Sequence, residues 1–289
     1  MLSDVLLLVT KAAMLTFVVT GMVGVGLTLT IKQVVQPWRD VRMVVLLLVA
    51  NFVVVPLTIF ALVAVLPIEP DAGTAVVLLA CVAGAPFLPR LAQQSHGDVA
   101  VAVGVMVLLM VVTVGYAPLV VPVLVEGATI SAGDIASSLV LLMLLPLVIG
   151  LGVRARYPEL AAAWAPHVTH ASSTALLLGV GAAVLVSWRD ILGALGSWIF
   201  VALAVLLAVG AACGALVGLR SPPARREVLA LATAQRNVSA ALVIATQLDG
   251  DVLVYTLVGA IALPVVLMLV SGELGRRRAS TDQPVTGTG

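Results

Sequence analysis

Of the 289 residues 62% are apolar and 10% charged, far from the roughly 45–50% apolar and ~25% charged of soluble domains, which marks an integral membrane protein. Fifteen Lys plus Arg against fourteen Asp plus Glu give a formal net charge of +1, so there is no basic field to hold a nucleic-acid partner by its phosphates. The two cysteines, Cys81 and Cys213, both lie in apolar runs, which excludes a disulfide scaffold and a cysteine zinc cluster.

A hydrocarbon core of about 30 Å takes about 20 apolar residues per helix, and about nine such runs follow one another here. They are Leu6–Ile31, Val41–Leu66, Ala72–Ala92, Val99–Val125, Ile135–Val153, Val168–Trp188, Leu195–Leu219, Glu227–Leu248 and Val252–Val270. The expectation is an all-α integral membrane protein with short connections and no soluble domain. The first run reads as a helix rather than a signal peptide: Asp4 precedes it, no basic start is present, and it lacks a clear cleavage site. Lys11 within it can reach back to the interface.

Alternating the loops places Lys32, Arg39, Arg42, Arg90, Arg154, Arg156, Arg220, Arg225, Arg226 and Arg276 to Arg278 on one side, with Lys11 and Arg189 on the other. The positive-inside rule makes the first side cytoplasmic, with the N-terminus outside and the C-terminus inside. Lysine is scarce beside arginine, a usage that fits a high-GC bacterium and hence a plasma (inner) membrane. Residues 1–275 form one transmembrane domain with halves of about 1–127 and 128–275. The polar segment from Arg276 to Gly289 reads as a disordered cytoplasmic tail whose Arg276 to Arg278 cluster faces anionic lipid.

An order of features occurs twice. Ala85-Pro86-Phe87-Leu88-Pro89-Arg90 precedes Gly97-Asp98-Val99, and Gln235-Arg236-Asn237 precedes Gly250-Asp251-Val252. Inverted repeats with interrupted helices in corresponding positions produce such a relation, although Asp capping the next helix produces Gly-Asp-Val as well. Pro86 and Pro89 predict that the third span unwinds near Gly84 to Arg90, and unwound backbone at that depth must line a cavity or be covered.

Arg236 lies ten residues past Arg226 and thirteen before Asp249, about 15 Å and 20 Å at helical rise. A guanidinium at mid-membrane costs at least about 2.5 kcal/mol and must find a partner. No acid falls inside any assigned span, and Thr233, Gln235, Asn237 and Ser239 can accept its hydrogen bonds without neutralising it. Two readings remain: an anionic cargo supplies the counter-charge through a charge-assisted pair, or the arginine caps carbonyls of a broken helix. His167 and His170 have metal-compatible spacing but no neighbouring acid or thiol. Gly21, Gly24 and Gly26 read as close helix packing, and Pro118, Pro122, Pro146 and Pro264 as kinks within spans.

Gly21-Met22-Val23-Gly24-Val25-Gly26-Leu27-Thr28, the Ala85-Pro86 break with Gly97-Asp98-Val99-Ala100, and Gln235-Arg236-Asn237 running into Ala240-Ala241-Leu242 resemble the bile acid:sodium symporter family. The resemblance implies inverted repeats with two discontinuous helices, here the third and eighth spans, crossing at mid-membrane. It also implies transport of organic anions, bile acids or smaller carboxylates, with sodium as the coupling ion and no other cofactor.

Substrate contacts are then expected from Arg236, Gln235, Asn237, Thr233 and Ser239, with Pro86, Phe87 and Arg90 from the first break. Sodium would have Asn51, Gln235 and Asn237. The chain departs from the sodium-binding pattern: Ala232 stands where the family places a Glu, Phe87-Leu88 and Pro89-Arg90 replace Gly-Gly and Ser-Asn, and Ala102 and Met106 replace hydroxyls. A fixed arginine about 5 Å from the ion would repel it by about 3 kcal/mol at an effective dielectric near 20. The leading reading is a secondary carrier of an organic anion working by alternating access, with Arg236 as a built-in positive charge. An intramembrane enzyme is disfavoured because no acid–base pair lies at depth, and a non-transporting sensor or scaffold because no extramembrane domain is present.

Overall fold

The computed structural model describes residues 2–124, 131–194, 198–248 and 250–281. In chain order its helices are α1 (Leu2–Thr28), α2 (Ile31–Val35), α3 (Val41–Val65), α4 (Pro70–Cys81), α5 (Leu88–Gln94), α6 (Val99–Leu124), α7 (Ala132–Arg156), α8 (Pro158–Ala194), α9 (Ile199–Val217), α10 (Pro223–Ala234), α11 (Val238–Ala245) and α12 (Val252–Thr281). Among the described residues the protein is all-helical, and six helices are long and apolar enough to cross a membrane: Leu8–Thr28 of α1, α3, α6, α7, α9 and Val252–Ser280 of α12. The third and eighth expected spans are each divided in two, as α4 with α5 and α10 with α11.

Two groups of helices pack together. In one, α1 lies against α7 and α8. Its contact is close because glycine meets glycine: a Cβ on Gly26 would fall 2.4 Å from the Leu147 carbonyl oxygen and 2.8 Å from the Gly150 Cα, so only hydrogens at these positions let the backbones approach. The second group contains α3 to α6 and α9 to α12 and meets the first mainly through α6, α11 and α12. Two apolar clusters hold it together, one shared with α1 and α7 and including Cys81, Val82, Met110 and Ile244, the other including Ala83, Met106, Leu229 and Ala234. The two broken helices cross where these clusters meet.

The prolines are accommodated inside helices. Pro118 and Pro122 lie within α6 and Pro264 within α12. Pro56 and Pro146 each follow a widened π turn, at Ala50–Val54 and Val140–Leu144. A proline ring crowds the carbonyl four residues back, and widening the preceding turn relieves this. The Val55 N–H accordingly reaches back five residues to Ala50, and the Leu145 N–H to Val140.

Two expectations are corrected. The sixth run was placed from Val168, yet α8 is helical from Pro158 over 37 residues, about 55 Å at helical rise and longer than the hydrocarbon core. Pro158 is preset for a first helical turn, and His167 and His170 consequently sit inside a helix rather than at its start. The His167 Nδ1 lies 3.1 Å from the Ala163 carbonyl oxygen, and among the described residues no cluster of three or more His, Cys, Asp or Glu could hold a metal.

The segment expected to be disordered from Arg276 is helical through Thr281. Glu273 accepts from Arg276 and Arg277 at 2.9 Å each. Arg278 pairs with Glu227 at 2.9 Å and donates to the His96 carbonyl. The Arg278 contacts tie the helix end to α10 and to the loop at His96, while Arg276 and Arg277 pair within their own helix and stay exposed. Residues 282–289, the side chains of Lys11, Arg189 and Asp190, and Asp249 lie outside the described residues.

Candidate binding site at the crossed breaks

The first break begins where α4 ends at Cys81 and Val82 turns extended (φ −114°, ψ 122°). It starts two residues earlier than the prolines alone suggest and closes at Phe87, with Pro89 inside the first turn of α5. Gly84 has φ +80°, and a Cβ there would meet the Met110 nitrogen of α6 at 2.2 Å. The position therefore needs glycine both for its backbone conformation and for space. Ala83 is served by Thr113 of α6, whose Oγ1 accepts from the Ala83 N–H at 2.9 Å and donates to its carbonyl at 3.0 Å.

The second break, Gln235 to Asn237, contains neither glycine nor proline. α10 ends at Ala234 and Gln235 is extended (φ −75°, ψ 132°). Ala83 and Arg236 form an antiparallel bridge, and the Asn237 N–H donates to the Val82 carbonyl at 3.1 Å. The Asn237 side chain ties the crossing together. Its Nδ2 donates to the Gly84 carbonyl at 3.1 Å, while its Oδ1 caps α11 by accepting from the Ala240 N–H at 3.1 Å. Each unwound segment thus satisfies the backbone groups of the other, as backbone away from water requires.

Arg236 is 1% exposed. Its Nη1 donates to the Ala80 carbonyl at 3.2 Å, its Nη2 donates to the Thr233 carbonyl, and its Nε has no partner. Ala80 and Thr233 belong to the last turns of α4 and α10, so the guanidinium sits on the negative ends of two half-helices, each equivalent to about half an elementary charge. Among the described residues no carboxylate comes within ion-pair distance of it. Of the two readings left open by the sequence, these bonds match an arginine that caps carbonyls of broken helices, and the two helix ends supply part of its counter-charge.

Thr233, Gln235, Asn237 and Ser239 are all buried beside Arg236, at 3% exposure or less. Thr233 Oγ1 donates to the Leu229 carbonyl at 3.1 Å and accepts from Asn51 Nδ2 at 3.2 Å. Asn51 Oδ1 and Gln235 Oε1 are buried and without a partner. Pro86 and Phe87 are half-buried, and Arg90 is exposed, its guanidinium 5.7 Å from the Phe87 ring centroid. Arg90 is thus outside the buried cluster around Arg236, at the surface end of the first break.

Thr113 is the residue that sequence reasoning missed. Its signal was a hydroxyl inside the long apolar run of α6. Of the candidate sodium ligands, Asn51 Oδ1 and Gln235 Oε1 are unpartnered oxygens, while Asn237 Oδ1 is used in capping α11. Ala102, Met106 and Ala232 are buried without side-chain oxygen, and the two helix-end carbonyls already accept from a cation.

Residues 14–194 match the model of the Sodium Bile acid symporter family, a stretch that includes the first break and stops before the second. No curated protein matches the chain. With more than half its length matched by that model, and with apolar helices able to cross a bilayer, this multi-pass membrane protein belongs to the sodium bile acid symporter family.

Proposed function

We propose that the chain is a secondary carrier for an organic anion, a bile-acid-like molecule or smaller carboxylate, in which Arg236 takes the place of a mobile coupling cation. The family is one of transporters, which supports a carrier over an enzyme. The observation that carries the proposal is the position of the guanidinium, held at 1% exposure on the end carbonyls of both broken helices. Carbonyls at such ends are the groups that coordinate a cation in broken-helix transporters. Here a tethered cation occupies them, so the positive charge that draws the anion arrives with the chain.

In this reading the nine crossings consist of the six long helices, α8 and the two broken pairs, arranged as inverted repeats. The group containing α1, α7 and α8 rocks against the group holding the crossing, which gives alternating access. Gln235, with its unpartnered Oε1, and Ser239 orient the cargo, and the unused guanidinium N–H groups bind it when the crossing opens. The carrier lies in a bacterial plasma membrane, N-terminus outside.

The test is uptake of radiolabelled taurocholate and pyruvate into proteoliposomes, with and without a sodium gradient. Saturable uptake of at least one anion, equal in both conditions and lost in Arg236→Gln, is the expected result. No saturable uptake of any anion in a broad screen would sink the carrier reading, and uptake that requires sodium would sink the tethered-cation reading.

A further inference from the structure

The first helix group holds a cleft of its own, away from the crossing. It has a volume of about 560 Å³ and is formed by the end of α1 (Leu27, Thr28), by Arg154 in the last turn of α7, and by α8 from Ala162 to Ser173. That volume is within the range of small-molecule sites. Its lining mixes Arg154, His170 and the hydroxyls of Thr28, Thr169 and Ser173 with the apolar Leu27, Ala162, Ala165 and Pro166. Arg154 uses one N–H on the Pro158 carbonyl, at 3.0 Å. Among the described residues it has no carboxylate partner, so its remaining donors are available in the cleft.

The surroundings indicate the depth of the cleft. Tyr157 and Trp164 are 55% and 59% exposed, and the Arg156 guanidinium lies 5.5 Å from the Tyr157 ring centroid. Exposed aromatics beside arginines mark the headgroup level of a bilayer. Arg154 is at that level, on the side that carries most of the basic residues. From there Pro166, His170, Ser173 and Leu177 follow one another along one face of α8, and the path continues over Leu177 and Leu178, which are 73% and 61% exposed. An anionic head at the rim with an apolar tail directed inward matches this sequence of surfaces.

We infer that the cleft between α1, α7 and α8 binds one anionic phospholipid of the cytoplasmic leaflet, its phosphate on Arg154 and an acyl chain along α8. Charge complementarity selects the anionic headgroup, since a guanidinium holds a phosphate through paired, charge-assisted hydrogen bonds. The depth favours a lipid already resident in the leaflet over an anion arriving from water.

The test counts lipids retained by the purified full-length protein in native mass spectrometry, after exchange into phosphatidylglycerol or phosphatidylcholine. One phosphatidylglycerol should be retained per chain with at least about tenfold preference over phosphatidylcholine, and Arg154→Gln should remove most of that preference. Arg156→Gln, at the same depth but outside the cleft, should leave it intact, whereas Ala162→Trp, which fills the cleft from an exposed position, should abolish retention with Arg154 in place. Equal retention of the two lipids would overturn the inference, as would equal losses in the Arg154 and Arg156 variants. Displacement of the lipid by taurocholate at one-to-one stoichiometry would assign the cleft to a soluble amphipathic anion and also overturn it.

Discussion

The two breaks meet at one point but are made differently. The first, Val82 to Phe87, is imposed by residues with special backbones: Gly84 at φ +80° and the prolines that restart the helix. The second, Gln235 to Asn237, has ordinary residues and is held open by their side chains and by the strand-like pairing with the first. The first break is a template and the second is fitted onto it. Substitutions in the first should therefore damage folding, and those in the second should divide between folding and transport.

The sharpest way to break that distinction is Gly84→Ala. A left-handed residue with a Cβ costs about 1–2 kcal/mol, and this Cβ would also sit 2.2 Å from backbone of α6, which cannot move aside as a side chain can. A total beyond about 4 kcal/mol is expected, seen as loss of the monodisperse peak in size-exclusion chromatography. Asn237→Ala comes next. It removes the α11 cap and leaves the Gly84 carbonyl without its donor, at a cost of about 2–3 kcal/mol, readable as a lowered Tm in detergent.

Thr113→Val keeps shape but leaves the buried Ala83 N–H and carbonyl both without a partner, for about 2–3 kcal/mol. If it proves as damaging as Gly84→Ala, the first break is held by α6 rather than by its own glycine. Arg236→Met should have the smallest effect on stability, within about 1 kcal/mol, because removing a buried charge offsets the loss of its hydrogen bonds. Its transport should nevertheless vanish. A fall in Tm as large as that of Asn237→Ala would make Arg236 a structural cap and nothing more.

Much of this was legible in the sequence. Pro86 and Pro89 announced one break, and a Gln-Arg-Asn triplet inside an apolar run announced the other. That Arg236 could cap carbonyls of a broken helix was legible, but which ones was not, because the carbonyls of Ala80 and Thr233 leave no trace in residue identity. The same limit hid Thr113, whose partner is the backbone of Ala83. That Arg90 is exposed while Arg236 is buried was not legible either, because spacing along α5 does not say which way a side chain leaves a first turn. The helical stretch up to Thr281 escaped composition because Arg278 is anchored by Glu227 and by the His96 carbonyl, both far away in the chain.

The claim that a tethered guanidinium stands where a mobile cation would bind is tested most directly by equilibrium binding of radiolabelled sodium to the purified protein, with and without taurocholate. Wild-type protein should show no saturable sodium binding in either condition, while still transporting the anion. Saturable sodium binding that strengthens with taurocholate, with Arg236 intact, would contradict it.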